Sequence, residues 1–137
     1  MMQNKTTFQF ISEPSDVNYG GNVHGGSVMK WIDQAGYACA SSWSSSYCVT
    51  VYVGGIRFYS PIKIGHIVKV EAQVIYTGRT SMHIAINVFS RNIKRKEFEK
   101  KRTALLYLSR WMTKAIPWKS RNLFQQRSRI SKWNNMP

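Results

Sequence analysis

Hydrophobic residues along this chain recur with two different periods, and the change between them separates one helix from the strands that follow. A helix is predicted from about Ser27 to Ser42, because apolar side chains there share one stripe of about 100°. The stripe consists of Val28, Trp31, Ile32, Ala35 and Cys39. Small residues in the same segment would let a sheet lie unusually close against it, namely Ala35, Gly36, Ala38 and Ala40.

Three later segments alternate apolar and polar residues with a period of two, which predicts half-buried strands. Their apolar positions are Val49, Val51 and Val53, then Val68, Val70, Ala72, Val74 and Tyr76, then Met82, Ile84, Ile86 and Val88. Beyond Gly54-Gly55 the apolar set continues at Ile56 and Phe58 with its parity reversed. One extra residue would keep the same face inward, so we predict a β-bulge at this glycine pair.

A short first strand around Phe8 and Phe10 precedes the helix, and the apolar run Ala104–Leu108 predicts one more strand after the others. The resulting order is a short strand, one long helix and at least three long strands in hairpin succession. This order predicts an α+β architecture, in which an antiparallel sheet packs on a single helix. One helix covers one face of such a sheet, so exposed edges and the free face favour a homo-oligomer.

Charge divides the chain more sharply than hydrophobicity does. Residues 1–93 carry a balance of +3, whereas residues 94–137 carry +11 of the total net charge of +14. We therefore assign residues 1–109 to one folded domain and predict that residues 110–137 form a basic, disordered tail. Such a tail suits a nucleic-acid partner, but no helix-turn-helix, zinc or RNA-binding motif accompanies it. We expect neither a nucleic-acid partner nor a membrane partner.

Cys39 and Cys48 lack the spacing of metal ligands and can pair only once. We interpret both as reduced packing residues. No secretory signal and no membrane span are visible, so a cytoplasmic location is expected. Neither a metal nor an organic cofactor is predicted.

The glycine-rich segment Gly21–Gly26 and the helical segment Met29–Gly36 resemble the acyl-CoA hydrolase family of hotdog-fold proteins. Further matching blocks, in the family's own order, are Val49–Val51, Phe58 with Pro61, Gly65, and Gly78–Met82. The likeness runs from about Phe8 to Phe89. It implies a hotdog fold, with one long central helix wrapped by an antiparallel sheet. It also implies hydrolysis of the acyl-CoA thioester without a cofactor, in dimers or trimers of dimers with sites at subunit interfaces.

The same resemblance identifies Asp33 and Asn22 as the catalytic pair, shared between two subunits. The residues suit that chemistry independently, since thioester hydrolysis needs a base or a nucleophile and donors for the developing oxyanion. Asp33 lies on the flank of the predicted helix, where its carboxylate can activate water or attack directly. The amide of Asn22 can orient the water or the carbonyl group.

Two further groups of residues are candidates for contacts with the substrate. Backbone amides around Gly25 and Gly26, at the positive end of the helix, can bind the oxyanion. His24 beside them is expected to have a structural or substrate-contacting role. The family's similar segment implies coenzyme A contacts for Arg79, Thr80 and Ser81. The alternative for Thr80 and Ser81 is that they only begin a strand, and for Arg79 that it is a plain surface charge.

Two other functions remain open from the sequence. A hotdog protein can bind acyl-CoA without hydrolysing it, because a fold does not fix a function. The basic tail allows a nucleic-acid-binding protein as the second alternative.

The last segment departs from the family's pattern, and the genetic code suggests one explanation. The residues Trp111-Met112-Thr113 must be encoded by TGG-ATG-ACN. When the same bases are read in the frame that starts one nucleotide earlier, they encode Asp-Asp. Upstream, the same shift permits His-Cys-Ile-Ile-Val-Phe-Val-Ala from about Thr103, a string that resembles the family's last strand. We hypothesise that the reading frame is shifted from about Arg102 onward. If so, the basic tail is non-native sequence, and the strand at Ala104–Leu108 is not the family's proper last strand.

Resequencing of the gene over this region tests the hypothesis. We expect codons that spell this string when they are read one nucleotide earlier. Codons incompatible with the string would rule the shift out.

Overall fold

A computed structural model describes residues 4–110 of the chain. The elements, in order, are strand β1 (Lys5–Ile11), a short 3₁₀-helix (Pro14–Asp16), helix α1 (Gly25–Ser44), and strands β2 (Cys48–Phe58), β3 (Ile67–Thr77), β4 (Ser81–Arg91) and β5 (Glu99–Arg110). Of the predicted basic tail, residues 110–137, Arg110 is instead the last residue of β5, and residues 111–137 lie outside the described residues. No helix among residues 4–110 is long and apolar enough to cross a membrane.

All five strands form one antiparallel sheet in the order β1-β3-β4-β5-β2. Strands β3, β4 and β5 follow one another as hairpins, but β2 does not pair with β3. The predicted hairpin succession is therefore wrong for β2, which instead pairs with β5 at the sheet edge. The reason is that β5 pairs along its length with both β4 and β2, which separates β2 from β3. The last strand predicted at Ala104–Leu108 is confirmed as part of β5.

Helix α1 lies across one face of this sheet, and the core fills the space between them. Four of the five predicted stripe residues are fully buried: Val28, Ile32, Ala35 and Cys39. The fifth, Trp31, is partly buried and packs edge-on against Phe10, with ring centroids 4.8 Å apart. From the sheet, the predicted inward residues of β3 up to Val74 and of β4 are buried as well. The α+β hotdog architecture is thus confirmed.

Gly36 sets the distance between helix and sheet. A Cβ atom built on this residue would lie 2.4 Å from Leu106 Cδ1 and 3.4 Å from Ile86 Cδ1. Ala35 and Ala40, its neighbours on the buried face, have no exposed surface. The close approach predicted from the small residues is therefore observed, and glycine is required at its tightest point.

The glycine bulge in β2 is confirmed by a register shift between Val53 and Ile56, which spans Gly54 and Gly55. A second shift, between Thr50 and Tyr52, was not predicted. Before this second bulge, Thr50 pairs with the fully buried Leu108, so Thr50 faces the helix. The prediction of one inward row at Val49, Val51 and Val53 is therefore wrong, because the bulge at Val51 reverses the parity.

A similar irregularity corrects the assignment of Tyr76. The register of β3 with β4 shifts between Val74 and Tyr76, and Tyr76 pairs with His83. The two rings lie 5.1 Å apart, and His83 in turn contacts Tyr107. Tyr76 is 55% exposed and belongs to the face of the sheet opposite the helix, not to the core.

Both cysteines are free and buried, as predicted. The sulfur of Cys39 lies 3.6 Å from the carbonyl oxygen of Ala72, and that of Cys48 lies 3.3 Å from Ser44 Oγ. Burial raises the pKa of the Cys39 thiol, which keeps it protonated and unreactive at neutral pH.

Gly36→Ala tests the close packing of helix and sheet. The added methyl group overlaps Leu106, and overpacking costs about 1–3 kcal/mol, of which the higher helix propensity of alanine offsets about 1 kcal/mol. We expect a net loss of stability in urea unfolding. Gly26→Ala is the control, because nothing lies within 4 Å of its Cβ position. A Gly36→Ala protein as stable as the control would contradict the proposed constraint.

Candidate active site

Asp33 lies on α1, on the side of the helix that faces the edge strand β2. Its Oδ1 accepts a hydrogen bond of 2.6 Å from the hydroxyl of Thr50. The side chain of Asp33 is exposed in the single chain, while its neighbours Ile32 and Ala35 are buried. Helix α1, whose inner face is buried, thus presents a carboxylate at the open edge of the sheet, and the hydrogen bond from Thr50 orients it. Sequence analysis missed Thr50, because only the bulge at Val51 turns this residue toward the helix.

Asn22 lies on the loop that leads into the helix, and backbone hydrogen bonds hold it in place. Its carbonyl oxygen accepts a bond of 2.7 Å from the Asn18 amide, and its own amide donates to Asn18 Oδ1 at 3.2 Å. Gly21 has a φ of 80°, a conformation that glycine adopts without strain. Asn22 also pairs with Lys63 through an isolated β-bridge. The structure records no hydrogen bond from its side-chain amide within residues 4–110.

His24, Gly25 and Gly26 form the start of helix α1. His24 is the N-cap residue but makes no side-chain capping bond, and its backbone amide donates to Asp16 O at 2.6 Å. The first hydrogen bond of the helix runs from Val28 N to His24 O. The amides of the preceding residues have no acceptor within the helix, so they remain available at its positive end. Gly25 and Gly26 are exposed, which leaves these amides accessible.

Arg102 is a further charged group at this end of the helix, and sequence analysis did not select it for the site. Its side chain is 7% exposed, and Nε and Nη1 have no hydrogen-bond partner in the described part of the chain. Nη1 would lie 3.9 Å from a Cβ atom on Gly25, and the guanidinium lies 4.4 Å from the Phe58 ring centroid. Burial lowers the pKa of Arg102, although arginine stays charged at neutral pH. In the sequence, the sign that Arg102 could be buried was its position two residues before Ala104, in the same inward-facing row of the strand.

The candidate residues form two groups in the single chain. Asn22, His24, Gly25 and Gly26 lie together at the start of α1. Asp33 is eight residues beyond Gly25, which places it about 12 Å further along the helix axis. Because of this separation, the helix does not place Asn22 and Asp33 of one chain in contact with each other.

Arg79 and Thr80 lie in the turn between β3 and β4, and Ser81 is the first residue of β4. Thr80 O accepts a hydrogen bond of 2.7 Å from the Arg110 amide, and Ser81 is buried, whereas Arg79 is exposed. Met82, the next residue, pairs with Leu108, which pairs with Thr50. Met82 is thus about 10 Å from Thr50, at two strand spacings, and the turn lies just beyond it.

The edge strand beside Asp33 exposes apolar surface. Phe58 is 64% exposed, and Tyr52 and Val53 are also exposed. Tyr37 on the helix and Tyr47 before the strand continue this surface, with ring centroids 5.9 Å apart. An edge strand with free backbone groups and exposed large side chains is suited to pairing with another chain. Within residues 4–110, no cluster of His, Cys, Asp or Glu could hold a metal ion.

A helix packed on a five-stranded antiparallel sheet, with a carboxylate at the sheet edge, defines the class as a hotdog-fold protein. The family model of the thioesterase superfamily matches residues 20–96, more than half of the chain. The chain belongs to this superfamily.

Similar sequences occur in several organisms. An uncharacterized acyl-CoA thioester hydrolase of Buchnera aphidicola subsp. Schizaphis graminum is 33% identical over 94 residues, 69% of this chain and 70% of that protein. The protein VdlD of Helicobacter pylori is 30% identical over 93 residues, 68% of this chain and 53% of its own. The human cytosolic acyl coenzyme A thioester hydrolase is 37% identical over 89 residues, 61% of this chain and 23% of its own. The chain thus matches about half of VdlD and about a quarter of the human enzyme.

Solved structures share the fold. A hexameric thioesterase from Yersinia pestis has a TM-score of 0.73 at 26% identity, over 79% of this chain and 88% of that one. A hexameric hotdog-fold thioesterase of Campylobacter jejuni has a TM-score of 0.72 at 26% identity, over 77% of this chain and 81% of that one.

Proposed function

We propose that this protein is an acyl-CoA thioesterase, which hydrolyses the thioester to free coenzyme A and a carboxylic acid. The observation that carries the proposal is the carboxylate of Asp33, oriented by Thr50 at 2.6 Å on a buried helix. Membership of the thioesterase superfamily and the names of the relatives support the same activity. The human relative's name also supports a cytosolic location for this chain.

The chemistry follows from the groups present. Asp33 either takes a proton from a water molecule that attacks the carbonyl carbon, or attacks that carbon itself. In both routes a C–O bond forms and negative charge develops on the carbonyl oxygen. Collapse of this intermediate breaks the C–S bond, and the coenzyme A thiolate leaves and takes up a proton. In the direct route, water then hydrolyses the resulting anhydride.

The start of helix α1 stabilises the oxyanion. The free amides at Gly25 and Gly26 point along the helix dipole, where negative charge is favoured. Arg102 adds a guanidinium close to Gly25, and its Nη1 has no hydrogen-bond partner in the part of the chain that the structure describes. The side-chain amide of Asn22 orients the attacking water or the carbonyl group. His24 contributes through its backbone, as the N-cap, and through contact with the substrate.

We infer that the complete site combines two chains, with Asn22 of one subunit and Asp33 of the other. The separation of these residues along one chain and the exposed β2 edge beside Asp33 support a homo-oligomer with sites at its interfaces. The hexameric neighbours from Yersinia pestis and Campylobacter jejuni support trimers of dimers. Across the sheet from Thr50, exposed Arg79 contacts another part of the coenzyme A moiety, with Thr80 and Ser81 beside it.

Asp33→Asn tests the catalytic assignment in an assay of coenzyme A release over a series of acyl chain lengths. Asparagine keeps the shape and can still accept the Thr50 hydrogen bond, but it is neither a base nor a nucleophile. We expect a loss in kcat of at least about 100-fold, as for removal of a general base. Thr50→Val should lower kcat less, because it disturbs only the orientation of the carboxylate.

Glu71→Gln is the matched control for charge, since Glu71 is a carboxylate on β3 that pairs with Lys5 and Lys69. Its activity should stay at the wild-type value. If Asp33→Asn retains full activity, the catalytic assignment is wrong. If the wild-type chain binds acyl-CoA tightly but releases no coenzyme A, the protein is a binding protein of the same fold.

Subunit complementation tests the shared site. Asn22→Ala and Asp33→Asn chains are co-expressed with different tags, and each alone should have little activity. With random mixing, about a quarter of the sites unite both wild-type residues, so about a quarter of the wild-type rate should return. No recovery in a verified mixed oligomer would show that each chain supplies both residues to its own site.

A further inference from the structure

A cleft separate from the Asp33 edge opens at the end of the sheet where β3 begins and β4 ends. Its volume is about 560 Å³. The floor includes Ser90 and Arg91 from β4, and the walls come from the connection before β3 and the hairpin after β4. Cavities of about 300–1,000 Å³ hold small molecules, so a nucleotide-sized ligand fits this cleft.

The cleft is rich in positive charge. Four of its lining residues are basic, namely Lys63, Arg91, Arg95 and Lys101, and His66 lies among them. Two carboxylates oppose them, Glu97 and Glu99. The balance of formal charge is therefore positive, and an anion is the favoured ligand.

Contacts within the protein engage only some of these basic side chains. Lys101 Nζ binds Glu99 Oε2 at 3.1 Å and Ser60 Oγ at 3.0 Å, and Arg91 Nη1 donates to Arg95 O at 2.8 Å. For the side chains of Lys63 and Arg95, the described part of the chain supplies no hydrogen bond or ion pair. Both of these cations are exposed and free to meet a ligand.

Two buried polar atoms in the cleft also lack partners among residues 4–110. They are Ser90 Oγ and His66 Nδ1. Ser90 is 1% exposed, and a buried hydroxyl without a hydrogen bond is costly. Burial, together with the charges of Lys101 and Lys63, lowers the pKa of His66, as expected in a positive environment. These groups can donate hydrogen bonds to the oxygen atoms of an anion.

The cleft is connected to the site loop. Lys63 pairs with Asn22 through a β-bridge, and Val23 N donates to Ile62 O at 2.8 Å. By contrast, Arg79 lies at the opposite end of β3 and β4. A ligand in the cleft would therefore border the Asn22 side of the site, not the Arg79 turn.

We propose that this cleft binds the phosphate groups of a nucleotide, with Lys63 and Arg95 as its principal cations. Two sources share that chemistry: the nucleotide end of a coenzyme A thioester, or a free nucleotide. The first source rests on the proposed thioesterase function, whereas the second does not. Either way, the phosphates lie beside the two free cations and Ser90.

Calorimetric titration of the full-length protein with adenosine 3′,5′-bisphosphate and, separately, with ADP tests the site. Lys63→Ala and Arg95→Ala should each weaken binding about tenfold or more, since each removes a charge-assisted contact to phosphate. Lys30→Ala removes the same charge from an exposed position on α1 and should leave the affinity unchanged. Undetectable binding of both nucleotides, or equal losses in all three variants, would overturn the proposal.

Kinetics then distinguish the two sources. If the ligand is the substrate's nucleotide, Arg95→Ala raises KM for acyl-CoA but leaves KM for the same acyl group on pantetheine unchanged. If it is a free nucleotide, both KM values stay unchanged and ADP still binds in the presence of saturating coenzyme A. Nucleotide binding by a chain inactive on every thioester would support the cleft and defeat only the thioesterase proposal.

Discussion

The close packing of α1 on the sheet at Gly36 is the constraint on which the other features depend. A Cβ atom at residue 36 would overlap Leu106 Cδ1, so the helix lies closer to the strands than a side chain at this position allows unless Leu106 moves. Asp33, three residues earlier on the same helix, is thereby brought within hydrogen-bonding distance of Thr50 on β2. A helix held further away would leave the carboxylate without its partner, since a hydroxyl reaches only about 3 Å.

The same packing explains why the site lies at an edge. The helix covers one face of the sheet as far as β2, and no strand within residues 4–110 pairs with the outer side of β2. Asp33 is therefore exposed in a single subunit, and so are the large side chains of Tyr52 and Phe58 nearby. A second chain that covers this edge would exclude water from the carboxylate and strengthen its electrostatic interactions with a substrate.

Strand β5 brings positive charge into positions that are normally apolar. Arg102 lies in the inward row with Ala104, and the adjacent Lys101 is also buried. Unpaired buried charge costs stability, so these residues remain in a folded chain only where other contacts offset that cost. Lys101 is satisfied by Glu99 and Ser60, whereas Arg102 has the Phe58 ring and two nitrogen atoms without partners among residues 4–110. Arg102, and not Lys101, therefore keeps unused hydrogen-bond donors in this part of the chain.

The sequence by itself determined the helix, its buried stripe, the inward rows of β3 and β4 and the bulge at Gly54-Gly55, because hydrophobic periodicity and parity are local properties. The motif around Asn22, Gly25 and Asp33 was likewise visible, because a loop and the helix after it are contiguous. Tertiary structure decided the place of β2 beside β5, the orientation of Thr50 and the burial of Arg102. These features depend on which strands pair although they are distant in the sequence. They also depend on β-bulges that reverse the alternation of inward and outward residues at positions without a glycine. The basic cleft, likewise, is assembled from two distant segments of the chain, residues 61–66 and 90–101, and only the folded sheet brings their charges together.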